Sequence, residues 1–222
     1  MKNTFSEEFD TVRARAFSVA LSAEEMLRNS IHAMRTRDDA LAERVRSGRQ
    51  VLLHEMDDIN EEILSCIAMN QPLEEDIPGI ASVVSVTASM EQVARNAGEI
   101  ALVATGYPQK LVNDRIFEAC SIPSMADKTL SMVHDTLVAF GSESPDYLSG
   151  HAARNEEIHT MAVNAMRTGL EIISDDPRDI SAVEQVLMVI RALEAAAMNS
   201  FIAAERINGA AGGVLRTPVE CE

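Results

Sequence analysis

Apolar residues recur every three to four positions over long stretches of the chain, which is the spacing of amphipathic helices. The clearest stretch begins after Asp38 and Asp39 and ends near Asn70, where Gln71-Pro72 closes it. Its apolar positions are Leu41, Val45, Leu52, Leu53, Met56, Ile59, Ile63, Leu64 and Ile67. The pattern predicts one continuous helix over this stretch.

The same reasoning predicts five further helices, bounded by caps and by Pro or Gly breaks. The first begins at about Ser6, which caps it, and runs past Ile31, and the third runs from Pro78 to Ala104. The fourth runs from Leu111 to Phe140 and is kinked or split by Pro123. The fifth is capped by Ser144 and ends at about Ile173, and the sixth begins beyond Asp175-Asp176-Pro177 and ends at Ile207, stopped by Asn208-Gly209.

A degraded internal repeat relates the third and sixth predicted helices. Identical residues recur 103 positions apart at Glu91/Glu194, Ala94/Ala197, Asn96/Asn199, Ala101/Ala204 and Gly106/Gly209, and apolar residues match upstream of them. Such self-similarity indicates one structural unit used twice. We therefore predict an all-α protein of two tandem three-helix bundles, with six long antiparallel helices. Its units span residues 1–105 and 109–209, with a hinge at Gly106-Tyr107-Pro108 and a disordered tail over 210–222.

Composition narrows the function further. Aromatic residues make up 4% of the chain and Trp is absent, as suits a helical bundle. The net charge of −16 argues against a nucleic-acid partner, since phosphates are bound by clustered Lys and Arg. The N-terminus lacks a signal-peptide core, and the uncharged stretch Ile77 to Met90 is shorter than the ~20 residues that span a bilayer. We expect a cytoplasmic protein without a membrane span.

The end of the second predicted helix and a motif within the third carry a family resemblance. Asn70-Gln71-Pro72, followed by Met90-Glu91-Gln92-Val93-Ala94-Arg95-Asn96-Ala97-Gly98-Glu99-Ile100-Ala101, resembles the PhoU family of negative regulators of bacterial phosphate uptake. Asp176-Pro177 and Leu193-Glu194-Ala195-Ala196-Ala197-Met198-Asn199 take the corresponding places in the second repeat. The resemblance covers nearly the whole chain.

In that family, the resemblance implies, carboxylates from two helices of each repeat hold a multinuclear iron or zinc cluster. This chain departs from the pattern, because Arg95 and Met198 replace the motif Asp. The acidic pair of the second helix aligns with Arg49 or Gln50 and Leu53, and that of the fifth with Asn155 and His159. We expect the first cluster to be lost, with Glu91 paired to Arg95.

In the second repeat, four residues stay candidates for binding one iron or zinc ion: Glu194, His159, Glu156 and Asn155. The alternative is that they are solvated polar residues. The other histidines, His32, His54, His134 and His151, have no partner in sequence and are expected at the surface or packed.

The resemblance implies a regulator that is not an enzyme. Its partners would be a sensor histidine kinase and the ATPase of the phosphate ABC importer, and it would form a homodimer. The spacing Glu156-x-x-His159 is that of di-iron bundles, but no second such motif occurs, and catalytic motifs are absent from the sequence. The alternative function is a helical scaffold or a metal-responsive paralogue without a phosphate role.

Overall fold

Long helices make up almost all of the computed structural model, which describes residues 4–106 and 114–212. The seven α-helices of the described residues are α1 (Thr4–Thr36), α2 (Asp39–Asn70), α3 (Ile77–Ala104), α4 (Asp114–Ala119), α5 (Ile122–Ser142), α6 (His151–Asp175) and α7 (Ile180–Ala210). Single 3-10 turns precede α3, α6 and α7 at Glu74–Asp76, Pro145–Leu148 and Pro177–Asp179. These residues contain no strand, and the predicted all-α class is confirmed.

Two groups of three long helices meet along a central helix pair. Helices α1, α2 and α3 pack on one another, and α7 packs on α5 and α6. The most extensive helix contact joins α3 to α7, and a lesser one joins α1 to α5. Buried small residues, among them Ala97 and Ala197, allow α3 and α7 to approach closely. One hydrophobic core runs through both groups, so the division into two domains stays a prediction.

Several predicted helix boundaries are confirmed by the local geometry. Asp38 caps α2, since its Oδ1 accepts a hydrogen bond from the Leu41 backbone N–H at 2.9 Å. Gln71 ends that helix in the left-handed conformation, with φ of 47°. The predicted fourth helix is divided at Ser121, and Pro123 lies in the first turn of α5, where a missing N–H costs nothing.

Three boundary predictions are wrong. Ser6 lies inside α1, which begins at Thr4. Ser144 caps the 3-10 turn rather than α6, which begins at His151 after Gly150, a residue with φ of 78°. Helix α7 continues through Asn208 and Gly209 to Ala210. A single Gly costs a helix only about 1 kcal/mol, so packing along the preceding turns carries α7 past it.

Some predictions fall outside the described residues. They are the start of the fourth helix at Leu111, most of the hinge (Tyr107 and Pro108), and the tail from residue 213 onward with Cys221. Gly106 is described and adopts φ of 72° directly after α3 ends, as a left-handed Gly commonly does.

Helix α7 is apolar over most of its length. The segment Pro177–Ala210 is long and apolar enough to cross a membrane by length and composition, with a mean hydropathy of 1.6 in its most apolar window. The expectation of no membrane span rested on Ile77 to Met90 and did not take this stretch into account. In the fold, 56% of that window is buried inside the protein, because α7 packs on α3, α5 and α6.

Candidate functional site

The predicted site of the second repeat lies between α6 and α7. His159 is on the exposed side of α6, and its Nδ1 lies 2.7 Å from Oε1 of Glu194 on α7. The His159 side chain is 56% exposed and that of Glu194 is 27% exposed. The fold therefore brings together two of the four candidate ligands, as a hydrogen-bonded pair at the surface.

The other two candidates, Asn155 and Glu156, lie one turn earlier on α6. Asn155 is partly buried and Glu156 is exposed. The neighbouring Glu157 forms an ion pair with Lys128 of α5, with its Oε1 3.0 Å from Nζ. Within residues 4–106 and 114–212, no group of three His, Cys, Asp or Glu side chains is arranged to hold a metal ion.

Arginine side chains lie at the corresponding place in the first repeat. Arg95 donates two hydrogen bonds to Oε1 of Glu91, from Nη2 at 2.6 Å and from Nε at 3.1 Å, which confirms the predicted pair. Arg49 of α2 crosses α3 at Gly98, where an added Cβ would lie only 2.7 Å from its Cδ. Its Nη1 is 3.7 Å from Oε1 of Glu99.

These donors do not fit a multinuclear metal cluster. Guanidinium groups are cations that cannot be deprotonated, so they repel a metal ion and offer it no ligand atom. In the described part of the second repeat, the candidate ligands supply one joined imidazole and carboxylate. Met198, 44% exposed, stands where the resemblance implies an Asp.

A buried polar network in the second group of helices was missed by sequence reasoning. The side chains of His151, Thr136 and Ser200 are fully buried. His151 Nε2 lies 3.0 Å from Thr136 Oγ1 and 3.2 Å from the Met132 carbonyl, and the Thr136 and Ser200 hydroxyls are 2.8 Å apart. The network joins α5, α6 and α7.

The second ring nitrogen of His151 faces a charged pair. Arg154 Nη2 donates to His151 Nδ1 at 3.0 Å, while its Nη1 donates to Asp135 Oδ2 at 2.6 Å. Burial first, and then the Arg154 charge, lower the pKa of His151 below its ordinary value. The histidine is therefore neutral, with Nδ1 as acceptor and Nε2–H as donor. No signal in the sequence indicated this network, because the hydroxyl groups near His151 come from other helices.

Polar contacts also join the two groups of helices along α1 and α5. Buried Glu24 accepts from Arg28 at 2.7 Å and lies 3.1 Å from His134 Nδ1 of α5. Near the end of α1, Arg35 Nη2 donates to Asp127 Oδ1 and to the Pro123 carbonyl, both at 2.8 Å. These contacts fix how α5 lies against α1.

The two described cysteines are buried and free. Burial raises the pKa of both thiols, Cys66 and Cys120, which keeps them protonated and poorly nucleophilic. The structure agrees with the predicted packing role of Cys66.

Comparisons with known proteins test the resemblance seen in sequence. A family model described as the PhoU domain matches residues 18–104, which extend from α1 to the end of α3. A phosphate-specific transport system accessory protein PhoU homolog of Rhizobium meliloti (strain 1021) is 27% identical over 197 residues, covering 86% of this chain and 80% of that protein. The PhoU accessory protein of Escherichia coli (strain K12) is 25% identical over 191 residues, covering 86% and 78%.

Solved structures share the fold. The crystal structure of PhoU from Pseudomonas aeruginosa superposes with a TM-score of 0.89 at 22% identity, over 94% of this chain and 99% of that one. The phosphate transport system regulatory protein PhoU from Streptococcus pneumoniae gives 0.83 at 18% identity, over 96% and 100%. The domain match over residues 18–104 and the aligned relatives make this chain similar to the PhoU family, and the solved structures share its fold.

Proposed function

We propose that this chain is an accessory regulator of phosphate uptake and of phosphate-responsive signalling, and that it acts by binding other proteins without catalysis. The observation that carries the proposal is the alignment of 86% of the chain with relatives named phosphate-specific transport system accessory proteins. The same helical fold over almost the full length supports it.

The proposed partners are a sensor histidine kinase and the ATPase of a phosphate ABC importer. A binding protein of this kind acts by population shift: it holds a partner in one state because it binds that state more tightly than the other. The state favoured here is the inactive one, when phosphate is plentiful. The names of the aligned relatives, which are transport accessory proteins, support binding over turnover.

The first test is a phosphate-starvation reporter, such as alkaline phosphatase, in a deletion strain grown with abundant phosphate. We expect reporter activity to rise without starvation and to fall again when the gene is restored. An unchanged reporter would contradict the phosphate role and favour the scaffold alternative.

The second test measures binding directly. Purified chain is titrated against the cytoplasmic part of the sensor kinase and against the importer ATPase, with an unrelated kinase and ATPase as controls. We expect saturable binding to at least one of the two proposed partners. Absence of binding to both would contradict the proposal, whatever the reporter does.

Metal binding is the observation that would favour a metal-responsive role. Glu194 and His159 are the only two of the four candidate ligands that the described structure joins, so any residual site is expected to be weak. Elemental analysis of dialysed protein, beside a Glu194→Ala/His159→Ala variant, tests this. Stoichiometric iron or zinc that disappears in the variant would support the metal-responsive alternative.

The homodimer and the cytoplasmic location remain part of the proposal. Light scattering of the purified chain is expected to give twice the chain mass of 24.2 kDa. A monomer mass would contradict the dimer. Cell fractionation should place the protein with the cytosol, or with the membrane only when the importer is present.

A further inference from the structure

The exposed face of α7 is largely apolar in its middle part, between the exposed charged residues Glu184 and Arg206. Met188 is 36% exposed, Met198 44% and Ile202 42%, while Arg191 is exposed and Ala195 partly buried between them. These five residues, which we call the α7 stripe, follow one another at spacings of three and four. That is the spacing of the contact seam of a coiled coil, and here it extends over ~21 Å of helix.

Helix α3, which takes the same place in the first group, has no such apolar row at the corresponding positions. The residues 103 positions earlier, on α3, are Ser85, Ala88, Gln92, Arg95 and Glu99. Arg95 is paired with Glu91, and Glu99 lies near Arg49. Packing inside the protein therefore does not require apolar residues on the outer face of a central helix, and the α7 stripe needs another explanation.

A charge at the centre of the α7 stripe indicates what would cover it. Arg191 lies between Met188 and Ala195, and in the described part of the chain it forms no ion pair or hydrogen bond. The nearest acidic residue along the helix, Glu194, is engaged by His159. An arginine among apolar residues binds best to a partner that supplies a carboxylate, since covering it otherwise costs desolvation.

We propose that the α7 stripe is a docking surface for an amphipathic helix of a partner protein. That helix places an apolar seam of the same spacing on Met188, Met198 and Ile202 and presents an Asp or Glu carboxylate to Arg191. A helix fits better than an extended strand, because the stripe is narrow and straight and Ala195 leaves room at its centre for close approach. The proposal rests on the proposed function, since it names the chemistry by which a binding partner is recognised.

The test uses three designed peptides and the full chain. All are labelled helices of about three heptads. One has Leu at its seam and Glu at the central seam position, one has Lys at that position, and one has the first peptide's composition in scrambled order. Fluorescence anisotropy should show saturable binding of the Glu peptide, at least about tenfold weaker binding of the Lys peptide, and no binding of the scrambled one.

Charge reversal on the protein tests the role of Arg191. In Arg191→Glu the preference should invert, so that the Lys peptide binds more tightly than the Glu peptide. Equal affinities for the two peptides, or an unchanged preference in Arg191→Glu, would overturn the proposed charge pairing.

Substitutions in the apolar part test the surface itself. Met198→Asp and Ile202→Asp should each weaken the Glu peptide by more than tenfold while circular dichroism stays unchanged. The matched control is Val84→Asp, which changes a residue 41% exposed on α3 and should leave binding intact. Binding that survives Met198→Asp would overturn the proposal, and so would a homodimer that dissociates in this variant, since the occupant would then be a second copy.

The outcome is separable from that of the proposed function. Discriminating peptide binding with an unchanged phosphate reporter would leave the α7 stripe standing and contradict the phosphate role. A responding reporter without discriminating peptide binding would support the phosphate role and contradict the proposal for the α7 stripe.

Discussion

The two groups of helices solve the same packing problem with different chemistry. At three positions related by the 103-residue offset, the first group has Ala33, Gly48 and Ala97, and the second has Thr136, His151 and Ser200. Ala33 and Ala97 are fully buried, as are all three polar residues of the second group. The polar set lies where α5, α6 and α7 meet, and the first set lies on α1, α2 and α3.

The difference shows what each choice costs and gains. Small residues let helices approach closely and need no partners, so Ala33 and Ala97 contribute apolar contact alone. The polar set is tolerated only because its members find partners in one another and in backbone carbonyls, at 2.8 Å to 3.2 Å. Such a network fixes the register of α6 on α5 and α7, but the protein loses much of its stability when one member of the network is removed.

The largest expected effect comes from removing the centre of that network. His151→Ala should lower the free energy of unfolding by about 3 kcal/mol, since it creates a cavity and takes away partners of Arg154 and Thr136. The matched change in the first group, Gly48→Ala, should stabilise by up to about 1 kcal/mol. Its new Cβ has space, with the nearest contact at 3.8 Å from Met26, and Ala favours a helix over Gly.

Chemical denaturation of His151→Ala and Gly48→Ala measures both changes in the free energy of unfolding. A similar loss of stability in the two variants would contradict the distinction between the apolar and the polar set of positions.

The pH dependence of stability should also separate the two groups. The pKa of His151 is lowered in the folded protein, so the unfolded chain binds its proton first. This contribution is fully present above about pH 6.5 and is lost as pH falls toward the lowered value, by about 1.4 kcal/mol per pH unit. Unfolding followed from pH 7.5 to 5 should show this slope in the wild type, and a shallower slope in His151→Gln would locate it.

A third comparison concerns glycines in contact with neighbouring side chains. A Cβ on Gly169 of α6 would lie 2.9 Å from Cγ1 of Val183, a stiff β-branched side chain. Gly169→Ala should therefore destabilise by about 1 kcal/mol despite the better helix propensity. Gly98→Ala instead meets the Arg49 side chain, which can swing away, and should be close to neutral. Thermal denaturation of the two variants decides whether the stiffness of the neighbouring side chain sets the sign of the stability change.

The smallest effect is expected at the surface pairs. Arg95→Met gives the first repeat the residue that the second has at Met198, and removes the ion pair with Glu91. An exposed pair of this spacing contributes about 0.3 kcal/mol, and salt should erase the difference. Denaturation at low and at high salt measures it; a loss above 1 kcal/mol would show that Arg95 does more than pair with Glu91.

Local signals in the sequence predicted most of the helices. The 3.6-residue periodicity, the Asp38 cap and the Gln71-Pro72 and Pro123 breaks located α2, α3 and the division between α4 and α5, because each acts through neighbours along the chain. The same signals misplaced the starts of α1 and α6 and the end of α7. At those ends, tertiary packing outweighs the preference of a single Ser or Gly.

For this chain, the sequence alone determined the helical class and the Glu91–Arg95 pair, because both depend on spacing within one helix. It also showed the repeat, because identical residues recur 103 positions apart. Tertiary structure decided the rest. It joined His159 to Glu194, placed Arg49 against Gly98 and closed the network of Thr136, His151 and Ser200. Which residues of different helices meet depends on the rotation and register of each helix, and these are set by packing over the whole core rather than by any local pattern.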